Sequence, residues 1–265
     1  MNFIKSLVKK LFPRKLLKIV YGKYYGIKRR KAERLYRGSN VLCPCCGKRF
    51  DRFMDYGYKK YNYREFDYYK NTICPYCFSY PRHRIVCYYF SKVKETVPHD
   101  NILIFGAEPS IINWFDMNDC HYTTADLFNR AADVKIDIQN ILFPDESWKL
   151  IICNHVLEHV PDYKTALKEL RRILKKDGFL ELTVPIDRNL ETVYEDPNIT
   201  RKEDRIKHFG QYDHVRIFGN DFEKIVTEAG FSVETINGDK LPNEIVGIIG
   251  PANYDDNRIY ICRRK

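Results

Sequence analysis

From residue 100 onward the chain alternates strand-length apolar runs with segments of helical period, and no other feature constrains the fold as tightly. "NILIF" and "HYTTADL" read as strands flanking the helical segment "EPSIINWFDMN". "VKIDI" reads as a short strand and "KLIICN" as another. In "DYKTALKELRRILKKDG" the residues Ala166, Leu167, Leu170, Ile173 and Leu174 share one helical face, and Gly178 supplies a stop. "FLELTVPI" is a strand, "NDFEKIVTEAGF" a helix starting near Asn220 as its cap, and "SVETIN" and "RIYICRR" are closing strands. Seven strands interleaved with helices predict an α/β domain whose mostly parallel sheet is covered on both faces. Ligands of such sheets bind beyond the carboxyl ends of the strands. The end of the first strand, the acid after the second and the segment "NHVLEH" then meet at one crevice.

"HVLEH", residues 155–159, also matches the H-x-x-E-H zinc-peptidase signature. That chemistry needs both imidazoles on one helical face, four residues apart. Here the apolar run from Trp148 to Asn154 precedes it with strand composition, and Pro161 disfavours helical geometry at Val160. His155 to His159 therefore fall at a strand end and its turn, with a new helix starting around Pro161. The helical context of a peptidase is missing.

The 265 residues carry a net charge of +10, distributed unevenly. Residues 1–40 hold 8 Lys, 5 Arg and Glu33 as the one acid, for +12, so the remainder sums to −2. Phe3, Ile4, Leu7, Val8, Leu11 and Phe12 recur at helical spacing opposite Lys5, Lys9 and Lys10. No run is long enough to cross a membrane. A basic amphipathic helix of this kind lies either on an anionic membrane surface, through residues 1–20, or on the protein's own body. Nine cysteines in a chain expected in the cytoplasm argue against a disulfide framework. Four form C-x2-C-x27-C-x2-C: Cys43, Cys46, Cys74 and Cys77 can present four thiolates tetrahedrally to a structural Zn2+ in a zinc-ribbon-like module. Cys45 is a bystander or a rival ligand, and Cys87, Cys120, Cys153 and Cys262 read as small buried residues. The tyrosine-rich stretch between the pairs is either a stacking surface for bases or sugars, or the shallow core and rim of a metal-held module. The predicted organisation is a basic helical arm over 1–40, the zinc-ribbon-like module with a linking helix over 41–90, and the α/β domain over 91–265.

"ILIFGAEPS", "TTADLF", "VKIDIQN", "LIICNHVLEHVPD" and "LRRILKKDGFLELTVP" occur in this order, and over residues 100–265 the chain resembles the class I S-adenosylmethionine-dependent methyltransferases, in particular the subgroup with a "VLEH" motif after the fourth strand. The resemblance implies a Rossmann-like fold and S-adenosyl-L-methionine as cofactor. Gly106 would let the cofactor approach the backbone. Asp126, 20 residues later, would accept the ribose hydroxyls. Asp137 would lie near the adenine amino group, and Asn154 and His155 beside the methionine moiety. "HVLEH" then forms a crevice wall, with Glu158 capping the following turn or covering the pocket and His159 structural. The glycine loop departs from the family pattern: Ile104 stands at the acid's position, and Glu108 and Ser110 replace the second and third glycines. Either Glu108 meets the cofactor's ammonium, or the site has decayed into a binding protein. No G-x-G-x-x-G supports a nicotinamide enzyme.

Between the fifth strand and the next helix lies a polar insertion of about 33 residues, a length that is uncommon without a function. It carries Glu195, Asp196, Arg205, His208, Gln211, Asp213, His214 and Arg216. Methyl transfer to a hydroxyl or amine needs a base for the acceptor's proton, and histidine is the readiest near neutral pH. His214 is the first candidate and His155 the second; alternatively Asp213 and Arg216 pair and His214 merely holds the loop. The expected acceptor is a small molecule or glycan, lipid-linked if the arm rests on the inner membrane face. RNA is the other class, disfavoured by the neutral body.

Overall fold

The computed structural model describes residues 26, 29–57, 68–93, 96–241 and 257–265. The amphipathic segment of residues 1–20 and much of the tyrosine-rich stretch lie outside the described residues. Among those described, no helix is long and apolar enough to cross a membrane.

After a helical stretch over residues 29–35, two hairpins carry the cysteines. β1 (Val41–Cys43) pairs antiparallel with β2 (Lys48–Phe50), and β3 (Met54–Gly57) with β4 (Tyr68–Ile73). In the first knuckle Gly47 N–H donates to the Cys43 carbonyl at 2.8 Å, and Gly47 adopts φ +67. In the second, Phe78 N–H donates to the Cys74 carbonyl at 3.0 Å, with φ +59 at Phe78. The two turns are therefore alike, but only the first uses the residue type that reaches left-handed geometry without cost. α1 (Pro81–Lys92) follows, opened by a proline in its first turn.

The main domain continues through β5 (Ile102–Phe105), α2 (Pro109–Met117), β6 (Tyr122–Ala125), β7 (Trp148–Asn154), α3 (Tyr163–Ile173) and β8 (Leu174–Thr183). β9 (Tyr194–Glu195), α4 (Lys202–Phe209) and β10 (Arg216–Ile217) give the polar insertion its own hairpin and helix. α5 (Phe222–Glu228), β11 (Phe231–Asn237) and β12 (Arg258–Arg264) complete the chain. Among the described residues the sheet has six strands, in the order β11-β12-β8-β7-β5-β6. β6, β5, β7 and β8 run parallel, and β12 is antiparallel to both of its neighbours.

Period-two alternation sorts the core. Leu103, Phe105, Ile151, Cys153, Leu180 and Leu182 face α3 and α5. Ile104, Ile152, Phe179 and Ile261 face α1, α2 and the cysteine hairpins. The cysteine hairpins therefore share a hydrophobic cluster with the sheet, as part of the layer that covers its second face. Cys87, Cys120, Cys153 and Cys262 are buried, as expected of small apolar residues.

Three expectations are corrected. "VKIDI" forms no strand: it makes a single parallel bridge, Ala125 with Val134, and then Asp137 bends the chain by accepting the Gln139 N–H at 2.9 Å. Among the described residues the sheet thus has six strands, where the sequence predicts seven. Gly178 does not stop a helix; α3 ends at Ile173, and Gly178 lies inside β8. A Cβ there would stand 2.5 Å from the Lys149 carbonyl oxygen, so the glycine serves strand pairing. Asn220 is not the cap of α5, which is Asp221; the Asn220 amide donates to the Arg188 and Leu190 carbonyls.

Candidate active site

The register of the parallel strands builds the site. Phe105 pairs with both Ala125 and Cys153, so Gly106, Asp126 and Asn154 each lie one residue beyond a common row. Thr183 is level with Asn154 on β8, and its hydroxyl donates to the Asn154 side-chain oxygen at 2.8 Å. Gly106 adopts φ +61, and a Cβ there would meet the Asn154 carbonyl oxygen and a Val156 methyl at 2.9 Å. Only glycine fits this position without displacing the β7 turn.

Asp126 is half-buried, and its Oδ1 accepts the Phe128 and Asn129 amides at 2.7 Å each. One oxygen thus fixes the loop after β6. Asp137 is likewise half-buried, with its carboxylate on the backbone and side-chain amides of Gln139. Two residues that the sequence did not single out stiffen this rim. Asp133 Oδ2 accepts both the Thr124 N–H and its hydroxyl, at 2.9 and 2.7 Å. The pattern T-x8-D carries no recognisable signal of such a clamp.

Glu108 caps the amino end of α2 by position, but its side chain turns to α1. Oε1 lies 2.9 Å from Arg82 and 2.7 Å from His83 Nε2. His83 Nδ1 accepts the Tyr80 N–H, so the proton of the neutral ring sits on Nε2, the atom that faces Glu108. Burial alone would raise the Glu108 carboxyl, but His83 and Arg82 outweigh it and hold the group well below the usual carboxylate range. The residue that replaces a family glycine is thereby tied to the helix that follows the cysteine pairs. Nothing in the sequence marked Arg82 and His83 as its partners.

His155 adopts φ +52, a left-handed conformation that a non-glycine residue rarely takes. Its Nδ1 stands 3.1 Å from Glu158 Oε1. Glu158 is fully buried; desolvation pushes its carboxyl up, and the hydrogen bond from His155 together with the charges of His155, His159 and His214 more than reverses this. Residues 155–159 form the expected turn, with His159 N–H on the Val156 carbonyl.

The insertion packs over this turn. Val215 N–H donates to the Glu158 carbonyl at 3.0 Å. Arg216 is buried, donating to the carbonyls of Leu157, Val160 and Pro161, and its ion-pair partner is Glu195 at 2.8 Å. An Asp213–Arg216 pair is thus replaced by Glu195–Arg216, because the β9–β10 hairpin sets Arg216 opposite Glu195. Asp213 turns instead to His159, whose Nδ1 is 3.2 Å from the Asp213 carbonyl. His214 is buried against Phe209, its Nδ1 3.0 Å from that carbonyl, and burial lowers its pKa. Glu158, His159 and His214 each place one ligand-type atom within 4.8 Å of the others. His208 pairs with the Tyr194 hydroxyl at 2.8 Å, and Asp196 closes a turn with Asn198, so these two serve the insertion itself.

Cys43, Cys46, Cys74 and Cys77 are buried, and their sulfurs all lie within 4.8 Å of one another. Cys43 Sγ is 3.6 Å from Cys77 Sγ, and Cys46 Sγ is 3.8 Å from Cys74 Sγ. Four sulfurs around one zinc, at bonds of about 2.3 Å, stand about 3.8 Å apart, so this donor set can hold such an ion. Cys45 falls outside the set. Its carbonyl accepts the Asn113 amide of α2 at 2.6 Å, and the Ser110 hydroxyl donates to the Cys77 carbonyl at 3.3 Å. Arg84, fully buried, donates to the Thr72 and Ser79 carbonyls at 2.8 Å each. The nearby thiols, once ionised, offset part of the cost of burying its charge.

No curated protein matches the sequence. Among solved structures, an S-adenosylmethionine-dependent methyltransferase from Thermotoga maritima is 20% identical, with 69% of this chain and 91% of that chain covered and a TM-score of 0.43. A 1,6-didemethyltoxoflavin-N1-methyltransferase from Burkholderia thailandensis, holding its substrate and S-adenosylhomocysteine, is 12% identical over 70% of this chain and 78% of that one, with a TM-score of 0.46. An Archaeoglobus fulgidus S-adenosylmethionine-dependent methyltransferase is 14% identical over 69% and 94%, with a TM-score of 0.45. The profile of a family described as a methyltransferase domain matches residues 38–236, well over half of the chain and including the cysteine hairpins. The chain belongs to this methyltransferase-domain family.

Proposed function

We propose that the chain methylates a small-molecule or glycan-type acceptor in the crevice between the strand ends and the polar insertion. The observation that carries this reading is the common register row that sets Gly106, Asp126 and Asn154 side by side beneath the insertion. Gly106 admits the cofactor against the backbone. The second oxygen of Asp126 receives the ribose, its first being held by the loop amides. Asp137 faces the adenine, Asn154 and His155 border the methionine moiety, and Glu108 offers its charge to the ammonium from a fixed position. S-Adenosylmethionine, when bound, supplies the electrophilic methyl group.

The chain's own task is to align the acceptor and take its proton. Of the two candidate bases, His155 is favoured over His214. Donation of its Nδ1 proton to the buried Glu158 leaves Nε2 as the proton-accepting nitrogen, the base-and-orienter arrangement of acid–base sites. His214 remains the second candidate, buried and held by the Phe209 carbonyl. Cys43, Cys46, Cys74 and Cys77 hold one structural Zn2+ in a zinc-ribbon-like module, supported by their sulfur spacing. If the basic arm rests on the inner membrane face of a cytoplasmic protein, its acceptor is of the lipid-linked kind.

One observation favours RNA as a second acceptor class. Arg30, Arg34, Arg37, Lys48 and Arg49 line a concave surface beside the first cysteine hairpin, relieved by Glu33 alone among its lining side chains. The test is calorimetric titration with S-adenosylmethionine, followed by transfer of a labelled methyl group to glycolipid and RNA fractions. Cofactor binding with label in the glycolipid fraction supports the reading. Label confined to RNA moves the acceptor to the second class, and absence of cofactor binding removes the reading altogether.

A further inference from the structure

Glu158, His159 and His214 make a cluster whose joint arrangement the methyl-transfer reading, which uses Glu158 to orient His155 and His214 as second candidate base, does not explain. One ligand-type atom from each lies within 4.8 Å of the other two. Glu158 is fully buried and His214 nearly so. Glu158 Oε2 and His214 Nε2 are both buried without a hydrogen-bond partner. Leaving two such atoms unsatisfied in a packed interior is costly, unless something binds between them.

The second nitrogens and oxygens define what that something is. His214 Nδ1 faces the Phe209 carbonyl at 3.0 Å, and His159 Nδ1 faces the Asp213 carbonyl at 3.2 Å. A carbonyl only accepts, so each ring carries its proton on Nδ1 and a lone pair on Nε2. Glu158 Oε1 is engaged by His155 at 3.1 Å, which orients the carboxylate and leaves Oε2 to the cluster. Imidazoles pinned through their outer N–H on backbone carbonyls, together with a pinned carboxylate, are the usual outer support of metal ligands. The backbone beneath is fixed as well. Val215 N–H binds the Glu158 carbonyl, and Arg216 binds the carbonyls of Leu157, Val160 and Pro161, so the insertion cannot swing His214 away cheaply.

We infer that Glu158, His159 and His214 form a site for one divalent first-row transition ion, separate from the four-cysteine cluster. Two imidazoles and one carboxylate suit zinc, iron, manganese or cobalt, and three protein ligands leave coordination positions open to an exogenous oxygen, as catalytic sites do. The site is not that of the H-x-x-E-H peptidases. There the two histidines of one helix bind together, whereas here His155 is committed to Glu158 and the second imidazole comes from the insertion, 55 residues after His159.

Cobalt(II) distinguishes this site from the cysteines, since thiolate ligation gives sulfur-to-metal charge-transfer absorption and imidazole–carboxylate ligation does not. The tag-free full chain, as purified, is titrated with cobalt(II) while absorption and bound metal are followed. The expected result is about one equivalent bound without sulfur charge transfer. This equivalent should be lost in His214→Ala and in His159→Ala, with circular dichroism unchanged in at least the latter, where the side chain is only half-buried. The inference is overturned if all bound cobalt shows sulfur charge transfer, if none binds to the folded chain, or if a folded His159→Ala retains the equivalent. A double-substituted Cys43→Ser, Cys74→Ser chain that remains folded should keep the equivalent; its loss there would assign the ion to the cysteines.

Discussion

The Asn113 amide donates to the Cys45 carbonyl at 2.6 Å, joining the helix that follows the Gly106 turn to the first cysteine knuckle. Ser110 makes a matching bond to the Cys77 carbonyl, and Arg82 and His83, just past the second knuckle, hold Glu108. The turn that replaces the family's glycines is thus supported from the metal-type cluster on three sides. Cys43→Ser is expected to release zinc and also to weaken S-adenosylmethionine binding by about tenfold, or ~1.4 kcal/mol. Metal analysis and calorimetry on the same preparation decide it. Zinc lost with cofactor affinity intact would mean that the hairpins support only themselves.

Asp126 separates two effects. Under the proposed function, Asp126→Ala would remove charge-assisted bonds to the ribose, each contributing roughly 1.5–3 kcal/mol, and it also frees the Phe128 and Asn129 amides. Asp126→Asn retains an oxygen for those amides but loses the charge. Both variants should bind cofactor more weakly, with the alanine variant worse. Equal affinity across wild type and both variants would place the ribose elsewhere.

The basic arm allows a comparison of partners. Membrane binding should draw on buried apolar area and on lysine attraction, the latter about 1 kcal/mol per charge near an anionic surface. RNA binding should depend on charge alone and fall steeply with salt. Liposome sedimentation and RNA retention are measured for wild type and a Leu7→Glu, Leu11→Glu double variant. Loss of liposome binding in the variant supports the membrane; tight, salt-sensitive RNA binding without liposome association would make RNA the acceptor class.

Most of the sheet was legible because burial on both faces writes itself as short apolar runs, as in "NILIF" and "KLIICN". What was not legible depended on partners distant in sequence. Gly178 reads locally as a helix stop, and only the approach of Lys149 reveals its use. The Val134–Ile138 run has strand composition, but the Asp137 turn ends its pairing after one bridge. Arg216 was visible as a charge near His214, whereas its pairing with Glu195 required the β9–β10 hairpin. The cluster of Glu158, His159 and His214 joins two segments that only the tertiary fold brings together.

Asp162 tests the start of α3. Its carboxylate accepts the Thr165 N–H at 3.0 Å and the Thr165 hydroxyl at 2.6 Å, and these bonds lower its pKa. Asp162→Ala should cost about 1 kcal/mol in urea unfolding, the usual magnitude for a lost helix cap. Since the folded pKa is depressed, the contribution is present at neutral pH and fades as pH falls through that lowered value. Wild type and variant should therefore converge in strong acid; a constant gap would exclude the charged cap as the cause.

Glu181 predicts the opposite slope. It lies fully buried on β8 beneath α1, and burial raises its carboxyl to about 8, opposed in part by Asn154. An unfolded glutamate titrates near ~4.3. Between those values the folded chain holds a proton that the unfolded chain releases, so stability is greatest below the unfolded pKa and declines as pH rises towards 8, by up to about 1.4 kcal/mol per pH unit. Glu181→Gln keeps the neutral shape without the proton and should remove that slope. Urea midpoints at several pH values between about 5 and 8 provide the measurement. The variant should gain on wild type steadily with pH, and parallel curves would show that the Glu181 carboxyl is not held protonated by the fold.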